Sequence, residues 1–575
     1  MPLMGSLYIG ASGLQTSQSA LNTTAHNLTN AGTTGYTRQQ VQLGTKRYIT
    51  LSKNPEMVSN RQYGLGVSYS RVKQIRDYFL DKTYRKESGR SMFYEVNTNI
   101  LEEVESQLGE LNGEAFQDTM EDFWTAVQEL SKDPCSTVTQ GMLVQRASEL
   151  VTRATAVYEG LSNYQNNLNT QIQQQVDKIN RYGKQILELN DRIRAIESGG
   201  IEHANDLRDL RNQILDELAE LTDMTWKEDE MGNVSVQIEG VDFVKGGVCY
   251  DIALQRDETT GFYTPFWPQN AKYTYQADGS KKYIIDGAEV FNLSVEISSD
   301  LNTDIGGLKA MVLARGDHRA DYTDIAYGNY DNISQSVLMN IQAEFDQMIH
   351  NVVTRINDIL AEAAGVKTGD LTLADGTVLK NVRFAQDEQG GYMRAEDGSP
   401  LQLFQKATTP GYEKVTGADG NEYWVYIEED PTQQDSLYTL KNLEINQELM
   451  QKPSTLGFRL PEGSEDNETV EKLKAAFEEE IYTLNPNVEK RTTFIDYYDD
   501  LVAQIANSGF VYRSIFTNQE TTVEAAFNAR EQVVGVSDDE ELSNMIKFQN
   551  SYNAASRYIN VISEMLEHII NTLGV

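Results

Sequence analysis

Each end of the chain has an amphipathic helical stripe that a single helix cannot bury by itself. In the first stretch the stripe runs through Met4, Leu7, Ala11, Leu14, Gln18, Leu21, Ala25 and Leu28. The second stripe is formed by Met545, Phe548, Tyr552, Ala555, Ile559, Ile562, Leu566, Ile569 and Leu573. Because a heptad stripe is stable only when a partner helix covers it, we expect the two ends to pair with each other and with the ends of neighbouring subunits.

The charge distribution points to the same arrangement. The 575 residues have a net charge of −37, yet the first 37 contain no Lys, Arg, Asp or Glu. The segment 541–575 has three glutamates against Lys547 and Arg557. Nearly neutral ends can crowd together while the acidic middle stays in water. The acidic balance argues against a nucleic acid partner.

Several classes of function find no support in the residues. There is no apolar run of about 18 residues and no signal-peptide pattern, so we expect no membrane segment and no cleaved leader. Cys135 and Cys249 are far apart, which makes a disulfide framework unlikely to be the organising element. The five histidines lack a second ligand at metal spacing, and no nucleophile or phosphate-loop motif occurs. We therefore expect no enzyme activity, no metal and no cofactor.

The periodicity along the chain predicts a multi-domain α+β protein with terminal coiled-coil helices, a long α-helical bundle domain and β-rich inserted domains. Helical spacing is found at 139–158, 161–196, 204–221 and 330–364, whereas alternation with period two begins beyond Trp226. Asp-Gly pairs at 278, 286, 375, 397 and 419 indicate tight turns between strands.

We divide the chain accordingly, and the nesting of the segments predicts a chain that runs outward and returns. The terminal helical polymerisation domain is 1–60 and 536–575; the bundle is 61–225, 316–365 and 485–535; the first β-rich insert is 226–315; and the second, with a short helix, is 366–484. The two termini should then meet at one pole, with the β-rich inserts at the other.

Two groups of residues in the inserts allow a functional reading as well as a structural one. The aromatics Trp267, Tyr423, Trp424 and Tyr426 are best interpreted as core and cross-strand pairs, with a sugar-binding face as the alternative. The acidic run 428–430 could hold a paired carboxylate for glycosidase chemistry, but a solvated loop is favoured in so acidic a chain.

A turn follows the first helix, and it leads to a family resemblance. Asn30 is suited to end the helix, and Gly35 can adopt positive φ in a tight turn. The segments 6–14 and 27–39 resemble the signature of the bacterial flagellar axial proteins, which build the rod, hook and junction. Their ending, Gly35-Tyr36-Thr37-Arg38-Gln39, favours a junction subunit over a rod or hook subunit. Further segments similar to that family are 205–218, 306–311 and 535–549.

The resemblance implies a non-enzymatic structural subunit at the junction between hook and filament, secreted and located in the extracellular flagellum. It also implies export through the flagellar type III system and a cytoplasmic export chaperone at the C-terminal helix. The implied partners are other copies of the chain in a ring at the hook tip, the flagellar hook protein and a second hook–filament junction protein. Neither nucleic acid nor membrane is an implied partner.

Three alternatives remain open at this stage. The chain could be a hook or rod protein of the same family. It could bear an adhesin or surface enzyme in its β-rich inserts. It could also be an intracellular coiled-coil scaffold, which would form a stable oligomer in dilute buffer.

The assembly interface is expected to consist of both stripes and the turn. Leu7, Leu14, Leu21 and Leu28 should face Tyr552, Ile559 and Leu566, with Asn30, Gly35, Tyr36 and Arg38 fixing the turn. The other interface residues are Met545, Phe548, Ile562 and Ile569. Helices so rich in Ser, Thr, Asn and Gln are marginal in isolation, so we expect both ends to be disordered in the free subunit.

Overall fold

The structure is a computed structural model that describes residues 2–46, 48–54, 59–108, 116–199, 203–276, 281–388 and 391–573. Helices account for 55% and strands for 16% of the chain. The helices are α1 (Pro2–Thr29), α2 (Tyr78–Leu108), α3 (Phe116–Lys132), α4 (Thr137–Glu197), α5 (Asn205–Leu221), α6 (Gly307–Arg315), α7 (Tyr322–Ala326), α8 (Tyr330–Ile333), α9 (Val337–Ala363), α10 (Gln447–Gln451), α11 (Asn467–Glu478), α12 (Phe494–Val534) and α13 (Asp538–Leu573).

The strands form small antiparallel sheets. They are β1 (Gln39–Thr45), β2 (Ile49–Asn54), β3 (Ser59–Tyr63), β4 (Val67–Gln74), β5 (Met224–Glu228), β6 (Val234–Ile238), β7 (Val241–Lys245), β8 (Val248–Cys249), β9 (Ala253–Arg256), β10 (Tyr263–Phe266), β11 (Lys272–Tyr275), β12 (Lys281–Ile284), β13 (Lys367–Thr372), β14 (Val378–Gln386), β15 (Phe404–Lys406), β16 (Tyr412–Thr416), β17 (Glu422–Tyr426) and β18 (Leu443–Ile445).

The two chain termini pack against each other as an antiparallel helix pair, α1 with α13. Beside them, β1 pairs with β4 and this hairpin contacts α1. Two long helices, α2 and α12, lead away from the termini. They run antiparallel, because Tyr84 of α2 contacts Phe527 of α12 whereas Leu108, at the other end of α2, accepts a hydrogen bond from Tyr498.

The largest hydrophobic core lies at the far end of α2 and α12, where α3, α4, α9 and α11 join them. A second core combines the later part of α4 with α5, α6 and the four-stranded sheet β5-β6-β7-β8. The other four-stranded sheet has the order β13-β14-β17-β16. This arrangement confirms the predicted fold class of terminal helices, a helical bundle and small β-rich regions.

Some elements differ from the prediction. The segments 139–158 and 161–196 form one continuous helix, α4. Gly160 lies within it, where a Cβ would come 2.5 Å from the side chain of Gln107, so the glycine lets α2 approach α4. The last nine residues of the predicted first insert form helix α6, not strand. The predicted helix 330–364 is interrupted before Ser336, whose side chain caps α9. The predicted turn at Asp278-Gly279 lies outside the described residues.

The expectations about membranes, metals and thiols concern the described residues only. None of the helices there has both the length and the apolarity needed to cross a bilayer. In the same ranges no group of three His, Cys, Asp or Glu side chains is arranged to hold a metal ion. Cys135 and Cys249 are both half-buried and free.

Candidate functional site

The terminal helices approach each other through glycine. A Cβ on Gly10 would lie 2.7 Å from Cγ1 of Ile559. A Cβ on Gly13 would lie 3.5 Å from the Cβ of Ala555. These contacts set the antiparallel register of α1 and α13. At positions without a side chain the two backbones can come closer than larger residues permit.

The fully buried stripe of α1 consists of small and polar residues. Its members are Gly10, Ser12, Thr16, Ser17, Ala20, Thr24 and Asn27. Several of the hydroxyls are satisfied within the helix: Thr16 donates to the carbonyl of Ser12, and Ser17 donates to that of Gly13. Ser12 Oγ also accepts from the Val67 N–H at 3.2 Å, which ties α1 to β4.

The structure therefore buries a different stripe of α1 from the one that the leucine spacing predicted. Leu7, Leu14, Leu21 and Leu28 are only half-buried and lie beside the small-residue stripe. The physical reason is the close approach of the helices, which favours glycine, serine and alanine at the contact. We correct the predicted register of α1 accordingly.

On α13 the inward face coincides with the predicted stripe. Met545, Phe548, Tyr552, Ile559 and Leu566 are half-buried, and Ile562 is buried with 6% exposure. Ile569, near the end of the helix, is exposed.

A buried polar cluster joins the turn after α1 to the first turn of α13. We call Asn27, Tyr36, Arg38 and Glu541 the junction cluster. The Asn27 amide donates to the Glu541 carboxylate at 3.2 Å and to the Gln39 carbonyl at 2.8 Å. The Asn27 side-chain oxygen accepts from the Tyr36 hydroxyl at 2.8 Å and from the Gln39 N–H at 3.0 Å. Asn27 therefore ties the end of α1 to Tyr36 and Gln39 of the following turn and to Glu541 of α13.

Arg38 is the cation of the junction cluster. Its Nε and a terminal nitrogen lie 2.9 and 2.8 Å from Glu541 Oε1, and its other terminal nitrogen lies 2.8 Å from Glu540. The Arg38 N–H donates to the Val534 carbonyl at the end of α12, and its carbonyl accepts from the Ile75 N–H. One residue thus connects the N-terminal turn, α12, α13 and the chain entering α2.

The remaining predicted turn residues have local roles. Asn30 closes α1, because its amide donates to the carbonyl of His26 at 2.9 Å. Gly35 has a φ of +79°, the left-handed conformation expected at this position. Burial, with the nearby carboxylates of Asp209, Asp206 and Glu541, raises the pKa of Tyr36 well above its ordinary value.

The turn is anchored to the body of the subunit through α5. The Thr37 N–H donates to Asp209 at 3.2 Å, and Gln74 donates to the other oxygen of that carboxylate at 2.7 Å. Burial raises the pKa of Asp209 to about 6. Beside Asp209, the guanidinium of Arg76 donates two hydrogen bonds to the carboxylate of Asp81, one to each oxygen, and this salt bridge positions the start of α2.

Three residues of this site escaped the sequence prediction: Asn27, Asp209 and Glu541. Each is polar and each finds its partner far along the chain, so periodicity cannot identify it. The usable signal was the resemblance, since 27–39, 205–218 and 535–549 were the segments matched to the axial proteins and the structure brings all three together.

The two groups in the β-rich regions are structural in different ways. Trp267 is fully buried, and Tyr423, Trp424 and Tyr426 pair across strands with residues of β16, as predicted. The acidic run is less solvated than expected. Glu429 accepts hydrogen bonds from the Tyr322 hydroxyl at 2.9 Å and the Tyr438 N–H at 2.6 Å, which hold it against the protein.

Comparison with known proteins explains this geometry. The model of the flagella basal body rod protein matches residues 7–37, and that of the flagellar basal body rod FlgEFG protein C-terminal matches 532–572. These matches cover most of the paired terminal helices and three of the four residues of the junction cluster, Asn27, Tyr36 and Glu541. Residues 101–371 match the model of the flagellar hook-associated protein FlgK helical domain.

The chain is similar at both ends and in its helical middle to the flagellar axial proteins, the family of rod, hook and hook-associated subunits, as the sequence predicted. Within that family it is similar to flagellar hook-associated protein 1. The relative from Bacillus subtilis is 26% identical over 98% of this chain and 97% of its own length. Those from Salmonella typhimurium (24%) and Escherichia coli (22%) each match 97% of this chain and 98% of their own length.

A solved structure, the flagellar hook junction protein FlgK from Burkholderia pseudomallei, is also similar. It has 13% identity and a TM-score of 0.48, over 80% of this chain and all of that structure. The family models and the relatives called flagellar hook-associated protein 1, without that solved structure, indicate a structural component of the flagellum.

Proposed function

We propose that this chain forms the junction between hook and filament, and that subunits assemble through the α1–α13 pair in a ring at the hook tip. The similarity along nearly the whole chain to relatives called flagellar hook-associated protein 1 supports the junction over a hook or rod role. Its partners would be further copies, the hook protein and a second junction protein. Export would use the flagellar type III system, with a cytoplasmic chaperone holding α13.

The observation on which the proposal depends is a second apolar stripe on α13. This outer stripe consists of Leu542, Ile546, Val561 and Met565, which are all exposed and which the helical periodicity turns away from the face that packs on α1. Beyond it, Ile570 is 68% exposed, and on α1 Tyr8 is 66% exposed. Monomeric proteins rarely leave so much contiguous apolar surface uncovered, and such patches mark interaction sites.

The scarcity of charge along the pair supports the same proposal. α1 has no Lys, Arg, Asp or Glu, so a neighbour can cover α1 without desolvating a charge on that helix. On α13, Lys547, Arg557, Glu564 and Glu567 have to stay in water or find an oppositely charged partner. Burying one large apolar side chain contributes about 1.5–3 kcal/mol. An outer stripe of four such residues can therefore stabilise a multi-subunit contact once neighbours cover it.

The test is a double substitution on the outer stripe, Ile546→Asp with Met565→Asp. Both side chains are exposed in the subunit, so the purified variant should keep the melting temperature of the unaltered protein. In cells that lack the native subunit, the variant should be exported but should not complete hook tips that support filaments. Filament growth equal to that of the unaltered chain would contradict the proposal.

Two control variants separate assembly from folding. Val138→Asp introduces one aspartate in place of an exposed apolar residue far from the termini and should support normal filament growth. Ile562→Asp places the charge in the buried face between α13 and α1 and should loosen the pair even in the free subunit.

A further inference from the structure

The first turns of α2 form one wall of a basic, aromatic cleft. The cleft has a volume of about 160 Å³, and the end of α5 and β5 form its other wall. Its basic and aromatic members are Tyr78, Lys82, Arg85, Lys86 and Trp226. Phe79, adjacent to Tyr78 on α2, is 71% exposed. Aromatic rings and arginine are enriched in binding surfaces, and the two lysines add positive charge to this one.

The guanidinium of Arg85 is incompletely satisfied within the subunit. Its Nε donates to Asp216 at 2.6 Å, one terminal nitrogen donates to the Asn212 carbonyl at 3.2 Å, and the group stacks on Trp226 at 4.1 Å. The other terminal nitrogen has no hydrogen-bond partner among the described residues, although Arg85 is buried. A carboxylate is the group that a guanidinium binds best.

Asp223 is the one acidic side chain among the described residues that line the cleft, against three basic ones, Lys82, Arg85 and Lys86. Burial raises the pKa of the Asp223 carboxyl, against the opposing effect of Lys309 and Lys86. On a chain with a net charge of −37, the cleft is a place where an acidic surface can be accepted instead of repelled.

An exposed acidic turn lies at the same level of the subunit. Asp538, Asp539 and Glu540 begin α13 and are exposed. Glu540 is bound to Arg38, whose carbonyl accepts from the N–H of Ile75, three residues before α2 begins. The turn and the cleft therefore flank the same junction.

The two features lie on different sides of the subunit. Tyr84 marks the face of α2 that packs on α12, and α12 leads into the acidic turn. At 100° per residue, Lys82 and Lys86 lie about 160° from Tyr84 on that helix. The acidic turn therefore cannot occupy the cleft of its own chain in this arrangement.

We propose that the acidic first turn of α13 in one copy docks in the basic, aromatic cleft of its neighbour, forming a lateral lock between subunits of the ring. This inference rests on the proposed self-assembly of the chain. The carboxylates of Asp538 and Asp539 contact Lys82 and Lys86, and the aromatic rings exclude water from the contact.

The first experiment reverses the charges in the full-length chain. Lys82→Glu with Lys86→Glu should reduce incorporation into hook tips at least tenfold, and so should Asp538→Lys with Asp539→Lys. Combining the two pairs should restore much of the incorporation. Lys272→Glu with Lys281→Glu, on the exposed β11–β12 hairpin, is the matched control and should incorporate normally. Circular dichroism and melting of each purified variant verify that it folds.

The second experiment traps the contact. In a chain with Cys135→Ala and Cys249→Ala, Lys82→Cys with Asp539→Cys should give disulfide-linked ladders in assembled tips and none in the dilute free subunit.

The outcomes distinguish this inference from the proposed function. Normal incorporation of the Lys82→Glu, Lys86→Glu variant would overturn the lock while leaving junction assembly intact. Loss of incorporation without rescue by the combined reversal, and without ladders, would show that the cleft binds another acidic partner, which also overturns it. If the unaltered subunit is absent from hook tips, both the proposed junction function and the lateral lock are contradicted.

Discussion

Arg38 and Glu541 are 503 positions apart in the chain, yet two hydrogen bonds of 2.9 and 2.8 Å join the guanidinium to a single carboxylate oxygen. This contact closes the polypeptide on itself at the base of the terminal helix pair. The Glu541 side chain is almost fully buried, with 3% exposure, whereas that of its neighbour Glu540, also bound to Arg38, is 63% exposed.

The two glutamates give a matched comparison. Glu541→Ala leaves Arg38 and the Asn27 amide without their shared acceptor and should weaken the closure of the pair by about 3 kcal/mol. Glu540→Ala removes an exposed contact and should cost at most about 1 kcal/mol. Hydrogen exchange of α1 and the first half of α13 measures both values. Equal effects of the two substitutions would show that burial of Glu541 has no energetic role.

Glycine at the contact of α1 with α13 leads to a second prediction. Gly10→Leu would push against Ile559 and Tyr558 and should destabilise the pair by about 1–3 kcal/mol. Gly13→Ala has room at ordinary contact distance from Ala555 and replaces a poor helix former, so it should be neutral or stabilising by up to about 1 kcal/mol. Thermal melting of the free subunit, followed by exchange of the terminal peptides, distinguishes the two variants.

The half-buried leucines beside the glycine stripe can be tested for a role in assembly. Leu14→Asp with Leu21→Asp should leave a folded, soluble subunit that fails to complete a hook tip, because charge at these positions blocks coverage by a neighbour. Gln15→Asp with Asn22→Asp adds the same charge, at the same spacing, at exposed positions. Filament counts in complemented cells should fall for the leucine pair only.

A buried carboxyl in the main core predicts a pH dependence. Glu344 of α9 accepts from the amides of Asn485 and Gln504, and burial raises its pKa to about 7. Because the folded state holds this proton more tightly than the unfolded chain, its favourable contribution is complete below about pH 4.5 and is lost as the pH rises through about 7.

Glu344→Gln should therefore gain stability relative to the unaltered chain between pH 5 and pH 8, by at most about 3 kcal/mol. Burial raises the pKa of Asp346 to about 7 and that of Asp209 to about 6. The comparison is made between variant and unaltered chain so that these contributions cancel. A pH-independent difference in the free energy of unfolding would contradict the assignment.

The sequence allowed the elements to be predicted better than their faces. On α13 the inward face could be read from the spacing, because large apolar residues such as Ile559 and Ile562 pack there. On α1 the leucines were a misleading guide, since the closest contacts use Gly10 and Gly13, which have no hydrophobic signal. Spacing identifies large side chains but not the positions that allow two backbones to approach.

Polar contacts over long sequence separation could not be predicted at all. Nothing local to Glu541 indicates that its carboxylate meets Arg38, and nothing near Asp209 indicates Thr37. The resemblance to the axial proteins selected the segments that contain them, but only the fold shows which atoms meet.

The central claim is that the α1–α13 pair is the assembly element, closed within each subunit and completed by neighbours. Hydrogen exchange of the purified subunit and of isolated hook tips tests it most directly. We predict that residues 2–29 and 538–573 exchange faster than α4 and α9 in the free subunit, and at least tenfold more slowly once assembled. Equal protection of the two segments in both states would contradict the account.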